Sequence, residues 1–129
     1  YLTVCSPSCH DTMTTRAWWE EDAERRARYN EMFQCGIDDT CTPSVMRKIL
    51  TQHIESPSVL AIFPIQDLLA LDERYAKRPA LEETINDPTN PKHYWRFRIH
   101  VACEELLANA SFVKEIKDLV RARSQTTST

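Results

Sequence analysis

The sequence predicts a helix-rich α/β chain containing two short, buried, parallel strands. Three observations carry that reading. Leu2 to Cys5 is a short β-prone run closed by Ser6-Pro7-Ser8. Val59-Leu-Ala-Ile-Phe63 is continuously apolar, of strand length, and stopped by Pro64, as expected of a strand covered on both faces. Between and after these runs the apolar residues recur at helical spacing, so the order is strand, helix, helix, strand, helix, the pattern of a βαβ crossover unit.

Each element has its own signals. From Thr15, the pairs Glu21/Arg25, Asp22/Arg26 and Glu24/Arg28 put an acid four residues before a base, and Trp19, Ala23 and Ala27 mark an inward stripe. Gly36, the only glycine, stands where a helix C-terminal cap is expected. Thr42-Pro43 reads as an N-cap followed by proline in the first turn, and Val45, Met46, Ile49, Leu50 and Ile54 form an apolar stripe that ends before Pro57. Asp72 to Lys92 is polar, contains Pro79, Pro88 and Pro91, and is long enough to be a binding loop. Trp95, Phe97, Ile99 and Val101 alternate with Arg96, Arg98 and His100, an extended pattern, before helical spacing returns at Glu104 to Leu107 and from Phe112 to Val120, with Ser111 as a plausible N-cap. Residues 1–123 are expected to form one unit, and 124–129 a flexible tail without core-forming residues.

Bulk properties narrow the function. With 129 residues, 42% hydrophobic and 27% charged, the composition is globular. A formal charge of -3 provides no basic field for nucleic acid, and no apolar run approaches the roughly 18 residues that span a bilayer, so neither partner is expected. The five cysteines are an odd set in a chain with ample apolar content, which favours reduced thiols and a cytoplasmic location. The chain opens without Met, and its natural start is expected upstream. Asn109-Ala110-Ser111 matches a glycosylation triplet of a kind that arises often by chance.

Polar residues follow both strands directly: His10-Asp11 after the first, Gln66-Asp67 after the second. In parallel α/β barrels the reactive groups stand at the C-terminal ends of strands. A carboxylate beside a histidine suits sugar chemistry, where it can balance an oxocarbenium-like charge. Asp11 could equally be the N-cap of the following helix. Gln66 and Asp67 could be a buried pair that stitches strand to helix. A zinc module built from Cys5, Cys9, His10, Cys35 and Cys41 is a further alternative, with poor spacing.

Three longer motifs break the tie. Val4-Cys-Ser-Pro-Ser-Cys-His-Asp-Thr12 with Thr15-Arg-Ala-Trp-Trp-Glu20, then Ala61-Ile-Phe-Pro-Ile-Gln-Asp-Leu-Leu-Ala-Leu71, then Glu83-Thr-Ile-Asn-Asp-Pro-Thr-Asn-Pro-Lys-His-Tyr-Trp-Arg-Phe-Arg98, resemble the 4-α-glucanotransferases of glycoside hydrolase family 77. The similarity runs from about Val4 to Val120. It implies the C-terminal portion of a (β/α)₈ TIM-type barrel and a retaining transfer of α-1,4-glucan units through a covalent aspartyl intermediate, with no metal or organic cofactor. Asp11 then maps to the transition-state-stabilising carboxylate, and His10 and Asn86 to ligands of the donor sugar. Gln66, Asp67, Trp95 and Arg96 are candidates for a supporting shell. The nucleophile and the acid/base are expected on earlier strands, so the implied partners are a malto-oligosaccharide or α-glucan and the remainder of the barrel. The competing reading is an inactive barrel remnant kept as an interaction subunit.

Overall fold

A computed structural model describes residues 2–36 and 38–126. The two strands form and pair in parallel: β1 (Val4–Cys5) lies beside β2 (Leu60–Ala61), with Val4 opposite Leu60 and Cys5 opposite Ala61. They are shorter than the apolar runs, and the expected burial on both faces is not found. Val4 is 59% exposed and Leu60 53%. A parallel strand is buried by neighbours on both edges and cover on both faces, and among the described residues each strand has one strand neighbour.

The single helix expected from Thr15 is two. α1 (Thr15–Glu21) ends at Asp22, whose extended backbone (φ -135°, ψ 110°) lets its carboxylate accept from the amides of Glu24 and Arg25 and so start α2 (Ala23–Phe33). These amide bonds hold the Asp22 carboxyl below its ordinary value, with Arg25 the larger cause. The break resets the helical phase, so Ala23 and Ala27, expected inward, are exposed, whereas Arg26 is buried. Arg26 donates to the carbonyls of Trp19 and Glu20 and pairs with Asp39 at 2.7 Å in place of Asp22. Gly36 is not the cap either. Gln34, left-handed at φ 52°, ends α2, and Gly36 (φ 90°) donates its amide to Asn30 Oδ1 two residues later.

α3 (Pro43–Ile54) follows its sequence signals: Thr42 Oγ1 caps the Val45 amide, Pro43 opens the first turn, and Val45, Met46, Ile49, Leu50 and Ile54 are all buried. Val45, Met46, Ile49 and Leu50 pack with Trp19, Cys41, Ala70 and Leu71, and Ile116 and Leu119 close over them. After β2 come α4 (Ile65–Leu69), a 3₁₀ turn at Ala80–Glu83, α5 (Cys103–Ala108) and α6 (Ala110–Thr126). The backbone of Ser124 to Thr126, expected in the tail, is helical, and 127–129 lie outside the described residues. Trp95 to Ile99, read as extended, joins neither a helix nor a strand. Arg123 donates to the carbonyls of Ile54, Ser56 and Ser58, tying α6 to the turn that leads into β2.

Asn109, not Ser111, caps α6: its Oδ1 accepts from the Phe112 amide, while its Nδ2 donates to Asp72 and to the Tyr75 hydroxyl. That use, and its burial, account for Asn109 without glycosylation. Asp72 also accepts from Arg74, and this hydrogen-bonded guanidinium brings its carboxyl down to about 2. A depressed carboxyl stabilises the fold above its unfolded value near 3.9 and loses that contribution as pH falls through the folded value. Asp72→Asn is therefore expected to cost about 1–2 kcal/mol at pH 7, allowing for the exposure of Arg74. The difference should shrink between about pH 4 and 2, which denaturant unfolding across that range measures.

Candidate functional site

The first wall of the site is the loop between β1 and α1. Thr12 Oγ1 receives the Cys9 amide at 3.0 Å and the Thr12 amide returns to the Cys9 carbonyl at 3.2 Å, a tight turn with His10 and Asp11 at its tip. Asp11 is not the cap of α1. Thr14 holds that position, its side chain accepting from the Ala17 amide.

Asp67 fixes this loop from below. It is fully buried, and its carboxylate accepts from the Ser8 hydroxyl (2.6 Å), the Thr15 hydroxyl (2.9 Å) and the Thr15 amide (3.0 Å). Burial raises the Asp67 carboxyl above its ordinary value, and the Ser8 and Thr15 donors pull the other way. Asp67 thus clamps both ends of the segment that carries His10 and Asp11.

The second wall is the long loop after α4, anchored beneath the same helix. Arg16 of α1, buried, lies 3.2 Å from the buried Glu83 carboxylate, an ion pair without the alignment of a hydrogen bond, and donates to the Arg78 carbonyl. Burial raises the Glu83 carboxyl, with Arg16 opposing the shift. Gln66 adds a bond from Nε2 to the Glu83 carbonyl at 3.3 Å. Beyond Glu83, Asp87 accepts from the Thr89 amide and hydroxyl, which together hold its carboxyl below the usual range, and His93 Nε2 bonds the Ile85 carbonyl. This folding of the loop over itself presents Asn86.

The two walls meet through four side chains. Asn86 Nδ2 donates to Asp11 Oδ1 at 2.8 Å, across 75 residues of sequence. His10 Nε2 stands 3.1 Å from Asp11 Oδ2. Trp95 Nε1 donates to Asn86 Oδ1 at 3.0 Å, and its ring lies 5.7 Å from that of His10. His10, Asp11, Asn86 and Trp95 therefore form one connected cluster. Arg96 does not join it. Its guanidinium sits over the Tyr94 ring at 5.0 Å and lines a neighbouring groove with Arg78 and Arg98. Gln66 and Asp67 lie beneath the cluster as structural ties. Arg16 and Glu83 were not singled out from sequence; each stands in one of the quoted motifs, but nothing local announces that they pair.

Beside the cluster runs a groove of about 670 Å³ lined by Asp11, Trp18, Glu21, Arg25, Asn86 and Pro88, among others. It offers an aromatic wall, both signs of charge and several hydrogen-bonding groups, so it can combine apolar contact with polar recognition. Asp11, half-exposed, with Oδ1 bonded by Asn86 and Oδ2 beside His10, can stabilise positive charge developing beside it. A glycosidic displacement needs a pair of carboxyl groups flanking the bond; of the acids near Asp11, Asp67 and Glu83 are buried in their own contacts, Asp87 holds Thr89, and Glu21, half-exposed on the groove, lies 3.6 Å from Arg25. The cysteines are dispersed. Cys5 contacts Ser56, Cys9 is exposed, and burial pushes the Cys41 thiol up to about 12. Among the described residues no three His, Cys, Asp or Glu side chains come together in a metal-ligating group. Nor, among them, is any helix long and apolar enough to cross a membrane.

Comparison with known proteins agrees with the motifs. The profile of the glycoside hydrolase family 77 4-alpha-glucanotransferases matches residues 1–104. The 4-alpha-glucanotransferase DPE2 of rice is 57% identical over 124 residues, covering 93% of this chain and 13% of the rice protein. A 4-alpha-glucanotransferase of Chlamydia muridarum is 33% identical over 114 residues, and one of Chlamydia caviae 29% identical over 119; the matches cover 84% and 92% of this chain. The chain spans 21% and 22% of those two proteins.

Proposed function

Because this chain belongs to the glycoside hydrolase family 77 4-alpha-glucanotransferases, we propose that it supplies one wall of a retaining transglycosidase acting on malto-oligosaccharides. The full enzyme passes glucosyl or longer α-1,4-glucan units from a donor to another glucan. Asp11 stabilises the oxocarbenium-like transition state, and His10 and Asn86 hold hydroxyls of the donor sugar. The nucleophile and the acid/base come from chain outside these residues, in the remainder of a (β/α)₈ barrel that also covers the open faces of β1 and β2. An odd number of cysteines, Cys9 and Cys103 exposed among them, suits a reducing, cytoplasmic setting.

The observation that carries the reading is the cluster of His10, Asp11 and Asn86 at the edge of a polar and aromatic groove. It also weighs against a decayed remnant, since the implied carboxylate and both implied sugar ligands are present together. The experiment is disproportionation of maltotriose by the full-length enzyme. His10→Ala and Asn86→Ala should each raise the donor KM by roughly three- to tenfold, the loss of one neutral hydrogen bond of about 0.5–1.5 kcal/mol, with melting temperature unchanged. Unaltered donor dependence together with lowered melting would assign both residues to structure instead.

A further inference from the structure

We infer that Trp95 is a positioning residue for Asp11, acting through the amide of Asn86. The inference rests on the catalytic reading of Asp11 given above. An asparagine amide offers an acceptor on one side and donors on the other, and in isolation it can turn either way. Here both sides meet partners of one kind. The indole N–H of Trp95 can only donate, so it selects Asn86 Oδ1. The Asp11 carboxylate, when ionised, can only accept, so it selects Nδ2. With Trp95 in place, turning the amide would break both bonds at once and set two oxygens against each other at Asp11.

The rest of the cluster lies close by. His10 Nε2 stands 3.1 Å from the second oxygen of Asp11, and the tilted contact between the His10 and Trp95 rings brings the indole against both neighbours of the carboxylate. Trp95 is 65% exposed, so little of its surface is committed to the core and packing does not account for where it sits. A tryptophan beside a sugar groove could instead stack on the ligand, which makes a different prediction.

A double-mutant cycle on donor kcat/KM in the full-length enzyme separates the two. Trp95→Phe keeps an aromatic ring beside His10 and removes only the N–H. It should lower donor kcat/KM by roughly three- to tenfold, comparable with Asn86→Ala, and have no further effect in an Asn86→Ala background, because its action passes through that amide. Trp95→Leu, which also lacks a donor, serves as a second variant if the phenylalanine form is poorly folded, and melting temperature is followed throughout. Equal losses from Trp95→Phe with and without Asn86 would overturn the inference in favour of direct stacking or packing. A silent Trp95→Phe beside an impaired Asn86→Ala would remove Trp95 alone and leave the proposed function standing. A silent Asn86→Ala would remove the Asn86 assignment with it.

Discussion

Asp11→Asn in the full-length enzyme is expected to lower maltotriose disproportionation by about 10²-fold or more, the usual cost of losing one preorganised electrostatic group in a transition state. The substitution is nearly isosteric, and Asp11 is half-exposed at the tip of a turn held by Cys9 and Thr12, so the fold does not depend on its charge. Melting temperature should stay within a degree or two of the parent. The neutral amide could still accept from Asn86, yet it would carry no negative charge to set against an oxocarbenium-like centre. Turnover within a few-fold of the parent would move the stabilising role to another residue.

The second large effect is on stability. Asp67→Ala should destabilise the catalytic domain by about 3 kcal/mol or more, because the Ser8 hydroxyl and the Thr15 hydroxyl and amide would be left buried without a partner, at about 1–3 kcal/mol each. Activity should fall too, since these bonds fix both ends of the segment bearing His10 and Asp11. Asp67→Asn, which keeps two acceptor lone pairs, should lie between the parent and the alanine variant in thermal unfolding. A parent-like melting curve for Asp67→Ala would mean that the loop is held by something other than this carboxylate.

Both expectations join features of different legibility. Asp11 and His10 stood out in sequence because they follow an apolar run directly and lie in a long motif, whereas excluding Asp11 as the helix cap needed the observed bond from the Ala17 amide to Thr14 Oγ1. Asp67 stood out for the same positional reason, and its three donors identify it as the buried tie between strand and helix. Arg96 read like Trp95 in sequence, one residue away, yet it turns to Tyr94 while Trp95 turns to Asn86. Alternation assigns successive side chains to opposite faces, but does not say which face meets the site.

What the sequence determined by itself were the local and pattern-encoded features: the parallel strand pair, the capped and amphipathic α3 and family membership. For α3 the causes lie within a few residues, in the N-cap at Thr42, the proline at Pro43 and the apolar repeat that follows. The tertiary structure decided where helix phase and polar partnerships fall. Asp22 broke a helix whose charge pattern ran on, turning Arg26 inward in place of Ala23 and Ala27. Arg16 met Glu83 67 positions away, and Asn86 met Asp11 75 positions away. A buried or shared polar group takes whatever complementary partner the packing brings within reach, and that partner is fixed by the path of the chain rather than by spacing along it. Strand burial belongs to the same class: an apolar run suits a strand to being covered, but cover is a long-range property that neighbouring elements decide, and here Val4 and Leu60 stay exposed.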